Sequence, residues 1–151
     1  MRALLTILFL CTGVGLVLEA QNLHFTYLTE ASGLPSNQVR DVARDEYGFF
    51  WIACDGGLVR FDGTEFTDYS QQIPSRYVRQ FCPLDKDVLI THDAGVSLIK
   101  PELDTAHISL FMSASINPEE DALYYPGRIF HQKNEHIWIS EPGGGITLIR
   151  G

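Results

Sequence analysis

Basic residues are few in this 151-residue chain: 11 Lys and Arg stand against 19 Asp and Glu, a formal net charge of −8. A phosphate-backbone binder shows a clustered basic stripe, so this balance argues against nucleic acid as a partner. Cysteine is scarcer still, with three residues and no Cys-x-x-Cys pair. That excludes a disulfide scaffold and a zinc site of the usual spacing. After Leu18 no helical periodicity appears, and no apolar run reaches the ~20 residues that span a bilayer. With 45% hydrophobic and 20% charged residues the chain is neither disordered nor collagen-like. What it has in quantity is glycine (13), Phe (9) and Tyr (6), the mark of turn-rich β structure with aromatic packing.

The longest apolar run lies at the start. Residues 1–20 read MRALLTILFLCTGVGLVLEA, with Arg2 ahead of the run and Leu18-Glu19-Ala20 ahead of Gln21. A charged start, an apolar middle and a small residue at the cut form the layout of a secretory signal peptide. Export, with cleavage before Gln21, is the expectation, and an uncleaved membrane anchor is the alternative. Cys11 follows Phe9-Leu10 rather than the small residues of a lipid-attachment site. Cleavage would remove Arg2, Glu19 and Cys11, leaving the net charge unchanged and only Cys54 and Cys82 in an oxidising compartment. Both have apolar neighbours, which favours two buried thiols over a bridge.

Internal repeats organise the rest. Ser36-Asn37-Gln38-Val39-Arg40 returns as Ser75-Arg76-Tyr77-Val78-Arg79, an offset of 39. Trp51-Ile52-Ala53-Cys54-Asp55-Gly56-Gly57-Leu58 returns as Leu89-Ile90-Thr91-His92-Asp93-Ala94-Gly95-Val96, an offset of 38. A third copy begins at Ile137-Trp138-Ile139, its tryptophan 49 residues beyond Leu89. The extra length falls in a polar stretch with Asn117-Pro118 and Glu119-Glu120-Asp121, read as an inserted loop over about 111–125. Within the first copy, strands are expected over 39–44, 49–54, 58–61 and 65–69, with turns at Asp45-Glu46-Tyr47-Gly48, Asp55-Gly56-Gly57 and Asp62-Gly63. Four short antiparallel strands in about forty residues make one propeller blade. The chain therefore reads as all-β, with blades over about 33–72, 73–110 and 124–151, about two and a half in number. The third blade reaches only its third strand.

Residues 33–72 also carry a family pattern. Gly33-Leu34-Pro35-Ser36-Asn37-Gln38-Val39-Arg40, then Asp45-Glu46-Tyr47-Gly48-Phe49-Phe50-Trp51-Ile52, then Asp55-Gly56-Gly57-Leu58-Val59-Arg60-Phe61-Asp62-Gly63 resembles the two-component regulator propeller repeat. The second copy departs from it, with Leu89 for the tryptophan and Val96-Ser97-Leu98-Ile99 for the Leu-x-Arg-Phe finish. The third has a longer glycine run, Gly143-Gly144-Gly145, and no finishing arginine. The resemblance implies the extracytoplasmic, periplasmic sensor part of a bacterial membrane receptor. Many blades there precede a β-sandwich, a transmembrane helix and a histidine kinase or diguanylate cyclase output. It implies a glycan-fragment or other small-molecule ligand, further blades as partners, and contact with a membrane only through C-terminal parts or an uncleaved leader.

Chemistry-bearing residues are thinly spread. His24, His92, His107, His131 and His136 fall in different segments with no ligand set at metal spacing, so neither metal nor cofactor is expected. No nucleophile elbow or phosphate loop is present, and Gly143-Gly144-Gly145 fits a hairpin turn. Asp55 and Asp93 recur in phase, as turn residues or as ligands. Arg40 and Arg79 also recur in phase. Such arginines either line a central channel and donate bidentately to sugars or carboxylates, or pair with Asp41, Asp45 or Asp85. Tyr124-Tyr125 offers a ring for a sugar to stack on, or an anchor for a neighbouring blade. Trp51 and Trp138 fit inter-blade packing, each worth on the order of 2–3 kcal/mol when buried. The expected ligand residues are thus Arg40, Arg79 and Tyr124, with no catalytic residue. A secreted propeller lyase or glycosidase, or a plain binding scaffold, is the alternative. The open ring is expected to expose Phe49 and Trp51 on one side and Ile137 and Ile139 on the other.

Overall fold

A computed structural model describes residues 24–115, 122–132 and 136–150. The leader at 1–20, its cleavage edge at Gln21, Cys11 and the Asn117–Asp121 stretch lie outside the described residues. Among the described residues eleven strands form three antiparallel sheets. The first contains β1 (Val39–Arg44), β2 (Phe50–Cys54), β3 (Gly57–Phe61) and β4 (Phe66–Asp68), in that order. The second contains β5 (Val78–Leu84), β6 (Asp87–His92), β7 (Gly95–Pro101) and β8 (Ala106–Ser113). The third holds β9 (Ile129–Gln132), β10 (His136–Glu141) and β11 (Gly145–Arg150). β1 lies beside β5, and β5 beside β9, so the first strands of the three sheets converge.

Period-two alternation decides which face meets which neighbour. Ala43, Trp51, Ala53 and Leu58 of the first sheet pack against Val78, Phe81, Val88, Ile90 and Ile99 of the second. From the second sheet's other face, Cys82, Leu89 and Val96 pack against Ile129, Ile137 and Ile139 of the third. Adjacent residues on one strand thus serve two cores: Val88 and Ile90 face one way, Leu89 the other. The outer surfaces differ from expectation by one residue. Trp51 and Ile139 are fully buried and Ile137 nearly so, while Val42, Phe50, Phe130, Trp138 and Ile146 are exposed. A one-residue error in reading a strand exchanges its faces.

The inserted loop is also shorter than its sequence reading. Residues 111–113 complete β8, and Ala114 bridges Leu123 in parallel. Leu123 is buried in the second core because its N–H donates to the Ser113 carbonyl and brings it inward. Cys54 and Cys82 are free and buried, and burial raises both thiols above their usual range.

The turns explain the recurring small residues. Ser36 Oγ accepts the Gln38 N–H and Ser75 Oγ accepts the Tyr77 N–H, the same turn in two copies. Asn37 and Glu30 exchange two hydrogen bonds of 2.9 Å, tying the N-terminal segment to the first strand. Gly57 is required by space: a Cβ there would lie 1.8 Å from Ser70 Oγ, which accepts the Leu58 N–H. Its counterpart Gly95 would meet the Met112 carbonyl at 2.0 Å.

Candidate functional site

The repeat's signature residues gather into one buried group. Asp45 Oδ1 accepts the Tyr47 and Phe49 N–H groups, each at 3.0 Å, and so closes the turn before β2. Its other oxygen accepts the Trp51 indole N–H at 3.0 Å and meets the Arg60 guanidinium at 3.3 Å. Arg60 stacks over Phe49 at 4.1 Å and donates to the Thr105 and Glu102 carbonyls, at the β7–β8 turn of the second sheet. Asp45, Trp51 and Arg60 therefore join two sheets, with the Asp45 oxygens, the indole N–H and both terminal guanidinium nitrogens of Arg60 used internally.

A recess of about 300 Å³ opens where the first strands converge. It is lined by Arg40 and Asp41 of β1, Arg79 and Gln80 of β5, and Gly127 and Arg128 ahead of β9. The pairing register shifts between Val39 and Asp41, and again between Val78 and Gln80. Arg40 and Arg79 are thus the extra residues of two β-bulges, a device that re-aims a side chain. Their carboxylate partners are Asp55 and Asp93, not the expected Asp41, Asp45 or Asp85. The bulge turns each arginine across its own hairpin rather than toward the next sheet. Arg79 meets Asp93 at 2.6 Å, and the Arg40 guanidinium, beside Asp55, is held above its ordinary value by that hydrogen bond. The recurrent Asp and the recurrent Arg are halves of one device.

Aromatic rings alternate with these cations. Arg40 lies 3.9 Å from the Tyr77 ring centroid, while Arg79 lies 5.2 Å from Tyr77 and 4.8 Å from Tyr125. Tyr125 holds a positive φ of 60°, a conformation that costs a non-glycine residue free energy. Tyr124 does not join the group. Its ring lies beside Gly143 and Gly144 and its N–H donates to Glu141, which turns it toward the β10–β11 hairpin. Arg128 is not in the expected set, because its repeat has Gly127 at the step of Arg40 and Arg79 and places the guanidinium one residue later. Among the described residues, no group of three His, Cys, Asp or Glu could hold a metal ion.

Residues 33–56 match the family model of the two component regulator propeller. The chain carries a two-component regulator propeller repeat. That repeat contains Arg40, Asp45, Trp51 and Asp55, so it contributes one side of the recess and two of the three residues of the buried group. Among solved structures, the chain is similar to the extracellular domain of a putative hybrid two component system from B. thetaiotaomicron. The two share 21% identity at a TM-score of 0.63, over 83% of this chain and 20% of that one. The chain therefore spans one fifth of that domain's length, and the likeness shows the propeller-type fold. No curated protein sequence matches it.

His92 is a buried titratable group outside the recess. His92 donates to or accepts from Ser97 Oγ at 2.8 Å through Nε2, while Nδ1 has no partner among the described residues. Burial holds its imidazole down to about 4, against a smaller upward pull from Asp93. The folded state therefore keeps His92 neutral while the unfolded chain takes a proton near pH 6.5. Stability is full above pH 6.5 and falls as pH drops toward 4, by on the order of 2–3 kcal/mol from this group. Urea unfolding across that interval should show the loss, and His92→Asn should flatten it. An equal slope in the variant would assign the loss to other groups.

Proposed function

We propose that this chain is a non-catalytic, extracytoplasmic sensor segment of a two-component-type receptor, binding a glycan fragment in the recess between β1, β5 and β9. The observation that carries this reading is the pair of bulged arginines. Each is ion-paired on one edge, and each keeps N–H donors for a ligand's oxygens. Tyr77 and Tyr125 beside them are 38% and 45% exposed, and partly open rings of this kind suit a sugar. The extracellular placement of the similar domain supports an outward-facing, periplasmic location, reached through the leader at residues 1–20. Further blades of a longer chain, and through them a membrane-bound kinase or cyclase output, are the partners this reading implies.

An enzyme of the lyase or glycosidase type needs carboxylates converging on its substrate. Among the described residues Asp41 is the only carboxylate lining the recess, and its oxygens accept the Val42 and Phe81 N–H groups at 2.9 and 2.8 Å. It is thereby occupied as a structural acceptor. The purified chain is expected to bind oligosaccharides without cleaving them, with Arg40→Gln and Arg79→Gln each weakening binding at least tenfold. Calorimetric titration alongside a product assay checks both parts. Turnover abolished by a point substitution would overturn the non-catalytic reading, and binding indifferent to both arginines would remove the recess. Expression with the native leader should give a mature N-terminus near Gln21, whereas retention of residues 1–20 in the membrane would favour an anchor.

A further inference from the structure

At the recess position that follows the bulge, the first two repeats carry hydrogen-bond acceptors, and at the matching position the third, which shows no bulge among the described residues, carries a donor. Asp41 Oδ2 accepts the Phe81 N–H of the second sheet at 2.8 Å, and Gln80 Oε1 accepts the Ile129 N–H of the third at 3.2 Å. Phe81 and Ile129 occupy the same step of their sheets, opposite Ile90 and Ile139. A side-chain acceptor at this step thus ties each sheet to the next. Arg128 stands at the corresponding step of the third repeat, where its backbone N–H donates to Ser140 Oγ and its carbonyl accepts the Ser140 N–H. A guanidinium has five N–H donors and no acceptor, so it cannot make the bond that Asp41 and Gln80 make.

Nor does Arg128 have the carboxylate that holds the other two arginines. Pro142 occupies the hairpin position of Asp55 and Asp93. The neighbouring Glu141 accepts instead from the Tyr124 N–H and the Thr147 hydroxyl. Among the described residues the Arg128 guanidinium has neither an ion-pair nor a hydrogen-bond partner, and it lines the recess. We propose that Arg128 reads an anionic group, a carboxylate or a sulfate carried by the saccharide, while Arg40 and Arg79 donate to its hydroxyls. This rests on the recess being the ligand site. The remainder of the chain is acidic, so the attraction is local and bidentate rather than a long-range field.

The test uses the whole chain and three probes: glucose, glucuronate and glucose 6-sulfate, titrated under NMR or calorimetric observation. At least one acidic probe should bind tenfold or more tightly than glucose, and the preferred acid identifies carboxylate or sulfate as the group read. Arg128→Gln should reduce acidic binding to the level of glucose, with Arg128→Lys intermediate and melting temperatures unchanged. Acidic binding that survives Arg128→Gln overturns the assignment. Equal binding of all three probes, weakened by Arg40→Gln, also overturns it but leaves the recess as a neutral saccharide site. Failure of every probe to bind removes both readings.

Discussion

Asp45→Ala should be among the most damaging single substitutions in this chain. It strips the acceptor from two backbone N–H groups and the Trp51 indole, and leaves the Arg60 guanidinium buried beside no carboxylate. Removing one partner of a buried pair typically costs roughly 3–5 kcal/mol, against a total of about 5–15 kcal/mol for a domain. Asp45→Asn should fall between Ala and the parent, because one amide oxygen can still accept from the turn. The control is Gln132→Ala. Gln132 accepts the Trp138 indole N–H at 3.2 Å in the third repeat, at the same spacing of six residues, but in an exposed setting. Its loss should cost below about 1 kcal/mol. Urea unfolding of the three variants decides the matter: equal, small losses for Asp45→Ala and Gln132→Ala would show that Asp45 is not the hub of the first repeat.

The residues of that hub were legible as a pattern, an Asp-x-x-Gly turn, a tryptophan strand and a finishing arginine, but their mutual contact was not. Spacing placed Asp45, Trp51 and Arg60 on three consecutive pieces of one hairpin system. Nothing in spacing says that a carboxylate will be buried at their meeting point. The strands were legible to within a residue or two, and that residue matters. Strand parity exchanged Phe50 for Trp51 at the outer surface, since a run apolar on both faces carries no alternation to fix it. The bulges hid the ion pairs in the same way. Regular alternation sends Arg40 toward the next sheet and its aspartates, while the extra residue turns it back to Asp55. Arg128 was hidden by a different cause. Its repeat has Gly127 where the bulged arginine stands in the others, so the motif is absent although the guanidinium is present one step later.

In solution the 151-residue chain should associate at micromolar concentration. Phe130 and Trp138 pair across β9 and β10 on the face turned away from the second core, and Ile146 extends that face onto β11. Their exposures are 65%, 38% and 71%, whereas Ile129, Ile137 and Ile139 on the opposite face are buried. On the far side of the first sheet, Val42 and Phe50 are 50% and 42% exposed. In a stacked array each sheet buries both faces against neighbours, so these two surfaces match in chemistry and invite contact between copies. Among the described residues β11 is an edge strand of its sheet, and an edge strand offers N–H and C=O groups to another strand. Size-exclusion chromatography should therefore give concentration-dependent species larger than 17.0 kDa. Phe130→Lys combined with Ile146→Lys should shift the population toward monomer by placing charge on one surface, at little cost to either core. A monodisperse parent monomer with a sharp transition above ~65 °C, beyond the usual mesophile range, would show that the open faces are satisfied by water alone.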